Sequence, residues 1–312
     1  LTSADEVIKF AGTSAGSIHA QDIVGGGFGL KDHVYEDELM VVLAALELGR
    51  PVKWTCERSE SFLTDFQGRD LYVTAELAMD RDGNFLAMRG SNIGNAGGHT
   101  GSFTPLQKGV EIMSSIYRMP CANFRARAVV SNTTPTRPYR SSGRPEVMFV
   151  MERLIDIACY DFGFDRVALR RRNLLRSDEL PYTNPFGMHY ESGNYIDCMD
   201  QALKLGDWEG FAARRAEARV RGKLRGIGLA NYVDTATGAP RERAEITVHP
   251  GNANEGRVDL VLGTISNGQG HETSFAQLVH EWLGVPLDSV KLITGDTDIV
   301  KVGGGSHSGR GM

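Results

Sequence analysis

The stretch Val24-Gly25-Gly26-Gly27-Phe28-Gly29-Leu30-Lys31 constrains the chain most, because it sets four glycines around one aromatic just ahead of a long amphipathic pattern. Glycine alone lets a backbone approach a ligand closely without steric cost. Downstream, Leu39, Val42, Leu43 and Leu46 fall at i, i+3, i+4 and i+7, which predicts a helix whose first N–H groups point at whatever the loop holds. That geometry suits an anion or a polar cofactor edge. Two glycine motifs are excluded by spacing. The phosphate loop needs Ser or Thr after its lysine, and Asp32 follows Lys31. The dinucleotide fingerprint counted from Gly25 ends on Leu30, and counted from Gly27 it ends on Asp32. A plain turn needs no large aromatic between its glycines, and Phe28 is there.

Length and charge narrow the class. With 312 residues the chain has room for two domains. Its 34 basic against 39 acidic residues, a net charge of -5, give no argument for nucleic acid, so the expected partner is a small molecule or another protein. Cys56, Cys121, Cys159 and Cys198 form no C-x-x-C pair, which argues against zinc, an iron–sulfur cluster or a disulfide framework in this chain and for a reduced, cytoplasmic setting. No apolar run approaches the roughly 18 residues of a membrane span. The sequence starts without Met and without a secretory pattern, so it is expected to be a piece of a longer protein.

Further along, Gly49 and Pro51 stop the first helix, and residues 52–55 read as a strand. Alternating Leu71, Val73, Ala75, Leu77 and Met79, then the turn Asp80-Arg81-Asp82-Gly83, predict a hairpin returning from Phe85. Residues 94–99 read as a break, and residues 124–130 as a third strand. The second notable loop is Arg137-Pro138-Tyr139-Arg140-Ser141-Ser142-Gly143-Arg144-Pro145-Glu146, with Pro145 in the first turn of a helix carrying Phe149, Val150, Leu154, Ile157 and Ala158. Arginines there can grip phosphate or a conjugated ring. Residues 165–221 read as short arginine-rich helices without chemistry, and Arg170-Arg171-Arg172 as a solvated face.

Residues 227–233, 244–249 and 258–264 read as strands. Ser266-Asn267-Gly268-Gln269-Gly270-His271-Glu272-Thr273 then leads a helix carrying Phe275, Leu278, Val279 and Trp282, closed by Gly284 and Pro286 before a strand at 290–294. A second glycine cluster, Gly303-Gly304-Gly305-Ser306-His307-Ser308-Gly309-Arg310, follows. Glycine loop, helix, Leu-Gly-x-Pro and strand occur at 25–55 and again at 268–294, so two lobes could each offer a helix N-terminus to one elongated anionic ligand. His33, His271 and His280 make no metal-binding spacing, and no G-x-S-x-G elbow is present.

Residues 24–31, 138–146, 268–273 and 303–310, in that order, resemble the molybdenum-binding large subunit of the xanthine dehydrogenase and aldehyde oxidase family. The resemblance implies an α+β architecture of two lobes with mixed sheets, 1–222 and 223–312, the second truncated, with the cofactor held between them by glycine-rich loops. It implies a molybdenum ion on a pyranopterin, in the cytosine dinucleotide form, without direct ligation by a protein side chain. By motif position, Gly27, Phe28 and Gly29 would lie beside the metal, with Phe28, Arg140 and Ser141 on the substrate side. Arg140 would also touch the cofactor. Gly268, Gln269, Gly270 and Thr273 would hold the pterin, and Ser306, Ser308 and Arg310 the phosphate or nucleotide end.

The implied reaction is hydroxylation of an aldehyde or N-heterocycle by water-derived oxygen, with electrons leaving through iron–sulfur and FAD subunits or domains. Ser141 stands where carbon monoxide dehydrogenases of the family carry a copper-binding cysteine, so neither copper nor carbon monoxide oxidation is expected. The family's glutamate base belongs to a Gly-x-Gly-Glu segment that would lie beyond Met312, so this stretch alone is expected not to turn over. The upstream active-site glutamine has no clear match in residues 1–20. The competing reading is a non-catalytic module that binds a phosphate-bearing ligand or serves subunit assembly. A third reading makes the glycine loops turns only.

Overall fold

A computed structural model of the chain describes residues 28–30, 35–234, 242–251, 256–266, 268–296, 298–303 and 305–306. Gly27, Ser308 and Arg310 lie outside the described residues. The architecture is α+β with mixed sheets, in two compact units: Phe66–Asp234, and Leu1–Asp65 together with Thr235–Met312. Leu229, Asn231 and Val233 pack onto the core of the first-named unit.

In the unit Phe66–Asp234, β1 (Leu71–Met79) pairs antiparallel with β2 (Phe85–Gly97) around the expected turn. Asp80 accepts from the backbone N–H groups of Asp82 and Asn84 to shape it. β2 runs on to Gly97, where the sequence suggested a break at 94; its glycines give the sheet room rather than ending it, since a Cβ on Gly90 would meet the Thr74 carbonyl at 2.2 Å. Helix α3 (Thr104–Glu111) follows, and β3 (Ala122–Val130) lies parallel to β2. Helix α4 (Arg144–Phe162) crosses behind, with Pro145 in its first turn and Gly163 in the left-handed conformation at its end. Ile112, Met113, Tyr117, Val147, Met151 and Ile155 form the solvent-free centre of this core. Helices α5 (Arg166–Asn173), α6 (Tyr195–Leu205) and α7 (Phe211–Val220) and the short pair β4 (Tyr182–Thr183) and β5 (His189–Tyr190) complete the unit.

The other unit contains α1 (Glu36–Leu48), stopped by Gly49 as expected, and α2 (Arg58–Thr64). Between them residues 52–55 form no strand. Its sheet is β6 (Ala244–His249), β7 (Arg257–Leu262) and β8 (Val290–Ile293), with β7 antiparallel to β6 and parallel to β8. Helix α8 (His271–Leu283) connects β7 to β8, and Phe275 and Val279 on its inner face bury Val258 and Leu260. Residues 227–233, expected as a strand, are irregular, because their apolar side chains and Asn231 are satisfied by the core instead of by a ladder.

Candidate cofactor and substrate site

The arginine–serine loop begins on a fixed rail. Gln67 and Thr136 form an isolated parallel bridge, and Arg137 N donates to Gln67 O at 2.9 Å. Arg140, Ser141, Ser142 and Gly143 then all take positive φ, at 36°, 69°, 47° and 88°. Each left-handed residue other than glycine costs about 1–2 kcal/mol, so such a run persists only where its surroundings over-determine it. The surroundings are specific. Arg69 Nη2 donates to Arg140 O at 2.7 Å, while Arg69 Nη1 pairs with Glu146 at 3.1 Å. Ser141 Oγ donates to Asp234 Oδ2, and Arg144, buried, pairs with Asp234 Oδ1 at 3.1 Å. Gly143 is pressed on α3: an added Cβ would lie 1.8 Å from Pro105 O.

Behind the loop lies a buried polar network that the sequence reading missed. The Tyr117 hydroxyl donates to Glu152 Oε1 at 2.6 Å, Arg170 Nε donates to Glu152 Oε2 at 2.8 Å, and Asn231 Nδ2 donates to the Tyr117 hydroxyl oxygen, Oη, at 3.0 Å. Arg170 also reaches Asp156 at 3.0 Å and has no solvent exposure, so the expectation of a solvated triple-arginine face fails at this residue. Arg172 is exposed and Arg171, half-buried, pairs with Asp200, both as expected of surface arginines. Burial pushes the Tyr117 hydroxyl well above its usual range, with the Glu152 charge adding to it. Burial also pushes the Glu152 carboxyl up, against the pull of Arg170. Three consecutive arginines carry no periodicity to say which one turns inward, but the lone Asn231 in an apolar run was a readable signal.

In the other unit the fourth motif meets the segment that follows β7, just ahead of the third motif. A Cβ added to Gly263 would lie 2.2 Å from the Cα of Gly303, and one added to Gly303 would lie 2.4 Å from the Cα of Gly263, so the two backbones are in contact. Ser306 Oγ donates to Ile265 O, one residue before the buried Ser266. Gly268 and Gly270 take φ of 107° and 74°, and among the described residues no atom beyond their chain neighbours lies within 4 Å of where their Cβ atoms would stand. Gly270 caps α8, and its carbonyl accepts from Thr273 N and Ser274 N, each at 3.1 Å. The first N–H groups of such a helix have no partner inside it. His271, first in the helix, stacks on Phe275 at 4.6 Å and keeps a buried Nδ1 without a hydrogen bond among the described residues.

Phe28 and Gly29 belong to this same unit and take φ of 50° and 105°, whereas Arg140 and Ser141 belong to the other. Helix α1 does not follow its glycine loop directly. It begins at Glu36, and Glu36, Asp37 and Glu38 fill its first turn, with Glu38 accepting from Tyr35 N at 3.2 Å. These carboxylates already complement the helix dipole and would repel an anion there. The anion reading of that helix start is thereby withdrawn, and the paired-helix echo at 25–55 with it. Among the described residues no three His, Cys, Asp or Glu side chains group as a metal site, and no helix is long and apolar enough to cross a membrane.

Residues 5–174 and 201–312 each match a molybdopterin cofactor-binding domain model. The chain belongs to the molybdenum hydroxylase large-subunit family. It is 33% identical to the carbon monoxide dehydrogenase large chain of Afipia carboxidovorans, over 92% of this chain and 38% of that protein. It is 32% identical to the gamma subunit of the 6-hydroxypseudooxynicotine dehydrogenase complex of Paenarthrobacter nicotinovorans, over 92% of this chain and 36% of that subunit. The crystal structure of quinoline 2-oxidoreductase from Pseudomonas putida 86 superposes with a TM-score of 0.79 at 31% identity, covering 95% of this chain and 39% of that one. The chain thus spans less than two-fifths of the length of these molybdenum hydroxylase relatives.

Proposed function

We propose that this chain holds the molybdenum–pyranopterin, in its cytosine dinucleotide form, within a hydroxylase large subunit that oxidises an aldehyde or N-heterocycle with water-derived oxygen. Electrons would pass to iron–sulfur and FAD partners in the cytoplasm. The observation that carries the reading is the open turn at the head of α8. Gly268 and Gly270 leave space where side chains would stand, helix N–H groups face it, and the buried His271 Nδ1 still lacks a partner among the described residues. A neutral or anionic group rich in hydrogen-bonding atoms fits that donor set.

In this reading Gly268, Gln269, Gly270 and Thr273 hold the pterin and Ser306 its phosphate end, while Phe28, Arg140 and Ser141 line the substrate side. When bound, the cofactor supplies the two-electron redox centre. The protein's share is positioning: the Gly263–Gly303 backbone contact fixes the turn, and the Ser141–Asp234 and Arg144–Asp234 pairs fix the substrate loop.

The test uses the full-length subunit in its complex, with quinoline or benzaldehyde in ¹⁸O-labelled water. The reading expects label in the hydroxylated product. Cofactor-loaded complex that oxidises neither compound would overturn the catalytic reading in favour of a non-catalytic module.

A further inference from the structure

The left-handed turn Arg140-Ser141-Ser142 is held from outside by residues far away in sequence. Of these, Asp234 makes the most economical clamp. Its Oδ2 accepts from Ser141 Oγ and, at 3.4 Å, from the Tyr232 hydroxyl, and its Oδ1 lies 3.1 Å from Arg144, so one side chain brackets Ser142 and Gly143. Its position is fixed from the core. Three residues earlier, Asn231 Nδ2 donates to Tyr117 Oη at 3.0 Å, and the same hydroxyl is bonded to the Glu152–Arg170 pair. On the far side, Arg69 holds the Arg140 carbonyl at 2.7 Å.

This geometry has a chemical consequence for Ser141. A serine hydroxyl has one proton to give and two lone pairs to accept with. Here the proton is committed to a carboxylate, which can only accept while ionised. Toward any third group, Ser141 Oγ is left as an acceptor. We infer that Asp234 is a positioning residue that holds Ser141 as an obligate acceptor and so selects ligands that present an N–H or O–H to this turn. The inference rests on the reading that Arg140 and Ser141 line the substrate side. A lactam-type heterocycle with a ring N–H satisfies that acceptor; a heterocycle offering only a ring nitrogen lone pair faces an acceptor with an acceptor.

The experiment measures kcat and KM of the loaded full-length complex for quinazolin-4-one, which carries a ring N–H, and for quinoline, which does not. The wild type should favour quinazolin-4-one. Asp234→Ala frees the Ser141 proton, so KM should rise about tenfold more for quinazolin-4-one than for quinoline. Asp234→Asn, which can still accept from Ser141, should fall in between. Ser141→Ala should erase the preference, and Asp234→Ala should add nothing on top of it. A wild type that prefers quinoline, or an Asp234→Ala variant that keeps the wild-type KM ratio, would overturn the inference.

Hydrogen exchange keeps the clamp testable if neither compound is oxidised, an outcome that defeats the functional reading by itself. Ser142 N and Arg144 N are bonded within the turn, to Tyr139 O and Ser141 O at 3.2 Å each. Their exchange should speed up at least about tenfold in Asp234→Ala, while Thr273 and Ser274 stay unchanged. Unchanged exchange at Ser142 and Arg144 would overturn the clamp.

Discussion

Both units build the same run, two antiparallel strands, a helix and a third strand parallel to the second: β1-β2-α3-β3 in one and β6-β7-α8-β8 in the other. They differ in the turn that leads from strand to helix. Ahead of α3, protein atoms fill the space. A Cβ on Gly97 would meet Pro135 Cα at 2.3 Å, one on Gly101 would meet Arg137 Nε at 2.7 Å, and the Arg137 guanidinium covers the Phe66 ring at 4.5 Å. Ahead of α8, no atom among the described residues lies within 4 Å of where a Cβ would stand on Gly268 or Gly270. The comparison teaches that one scaffold serves two ends: where the turn is plugged it supports a neighbouring loop, and where it is open it leaves the helix start that we propose as the cofactor's cradle.

The strongest test of the plugged unit is its buried ion pair. Arg170→Met leaves Glu152 charged, buried and short of a partner, which should cost about 3–5 kcal/mol in urea unfolding of the unit's probes. A loss below 1 kcal/mol would mean that the network is solvated and that the two units are not held differently. Next comes a pair of glycines. Gly143→Ala combines a left-handed φ with collision against the Pro105 carbonyl and should cost about 2–5 kcal/mol. Gly270→Ala adds only the backbone cost of about 1–2 kcal/mol before any ligand is considered. Equal losses in the two variants, measured by thermal and urea unfolding, would break the distinction between plugged and open turns.

The smallest effect concerns acid. Hydrogen bonds from the Asn84 side chain and backbone hold the Asp80 carboxyl below its usual range at the β1–β2 turn. A carboxylate with a depressed folded-state pKa stabilises above its unfolded value and loses that contribution as pH falls through the folded value. Stability of the unit Phe66–Asp234 should therefore decline below about pH 4, and Asp80→Asn should flatten that decline slightly. An unchanged slope in the variant would assign the acid sensitivity elsewhere.

Local signals were legible wherever a residue's neighbours in sequence are its neighbours in space. The alternation from Leu71 to Met79 and the Asp-Arg-Asp-Gly turn gave the hairpin, Pro145 gave the start of α4, and Gly49 and Gly284 gave the ends of α1 and α8. The family itself was legible from four ordered motifs. What stayed hidden depends on distant partners. The clamps on Arg140 and Ser141 come from residues 71 and 93 positions away, and nothing local marks Arg69 or Asp234. Residues 227–233 carry strand-like composition, yet Asn231 bonds to Tyr117, 114 positions back, and the segment packs instead of pairing. Residues 52–55 have the propensity without a strand to join among the described residues.

Molybdenum and released oxidised pterin per polypeptide, measured on the full-length subunit as wild type and as Gly270→Val, test the central claim most directly. The account predicts near-stoichiometric metal and pterin in the wild type, and their loss from a Gly270→Val protein that remains folded by circular dichroism. A well-folded wild type without metal or pterin, or a Gly270→Val protein that retains both in full, would contradict the assignment of the open turn as the cofactor's cradle.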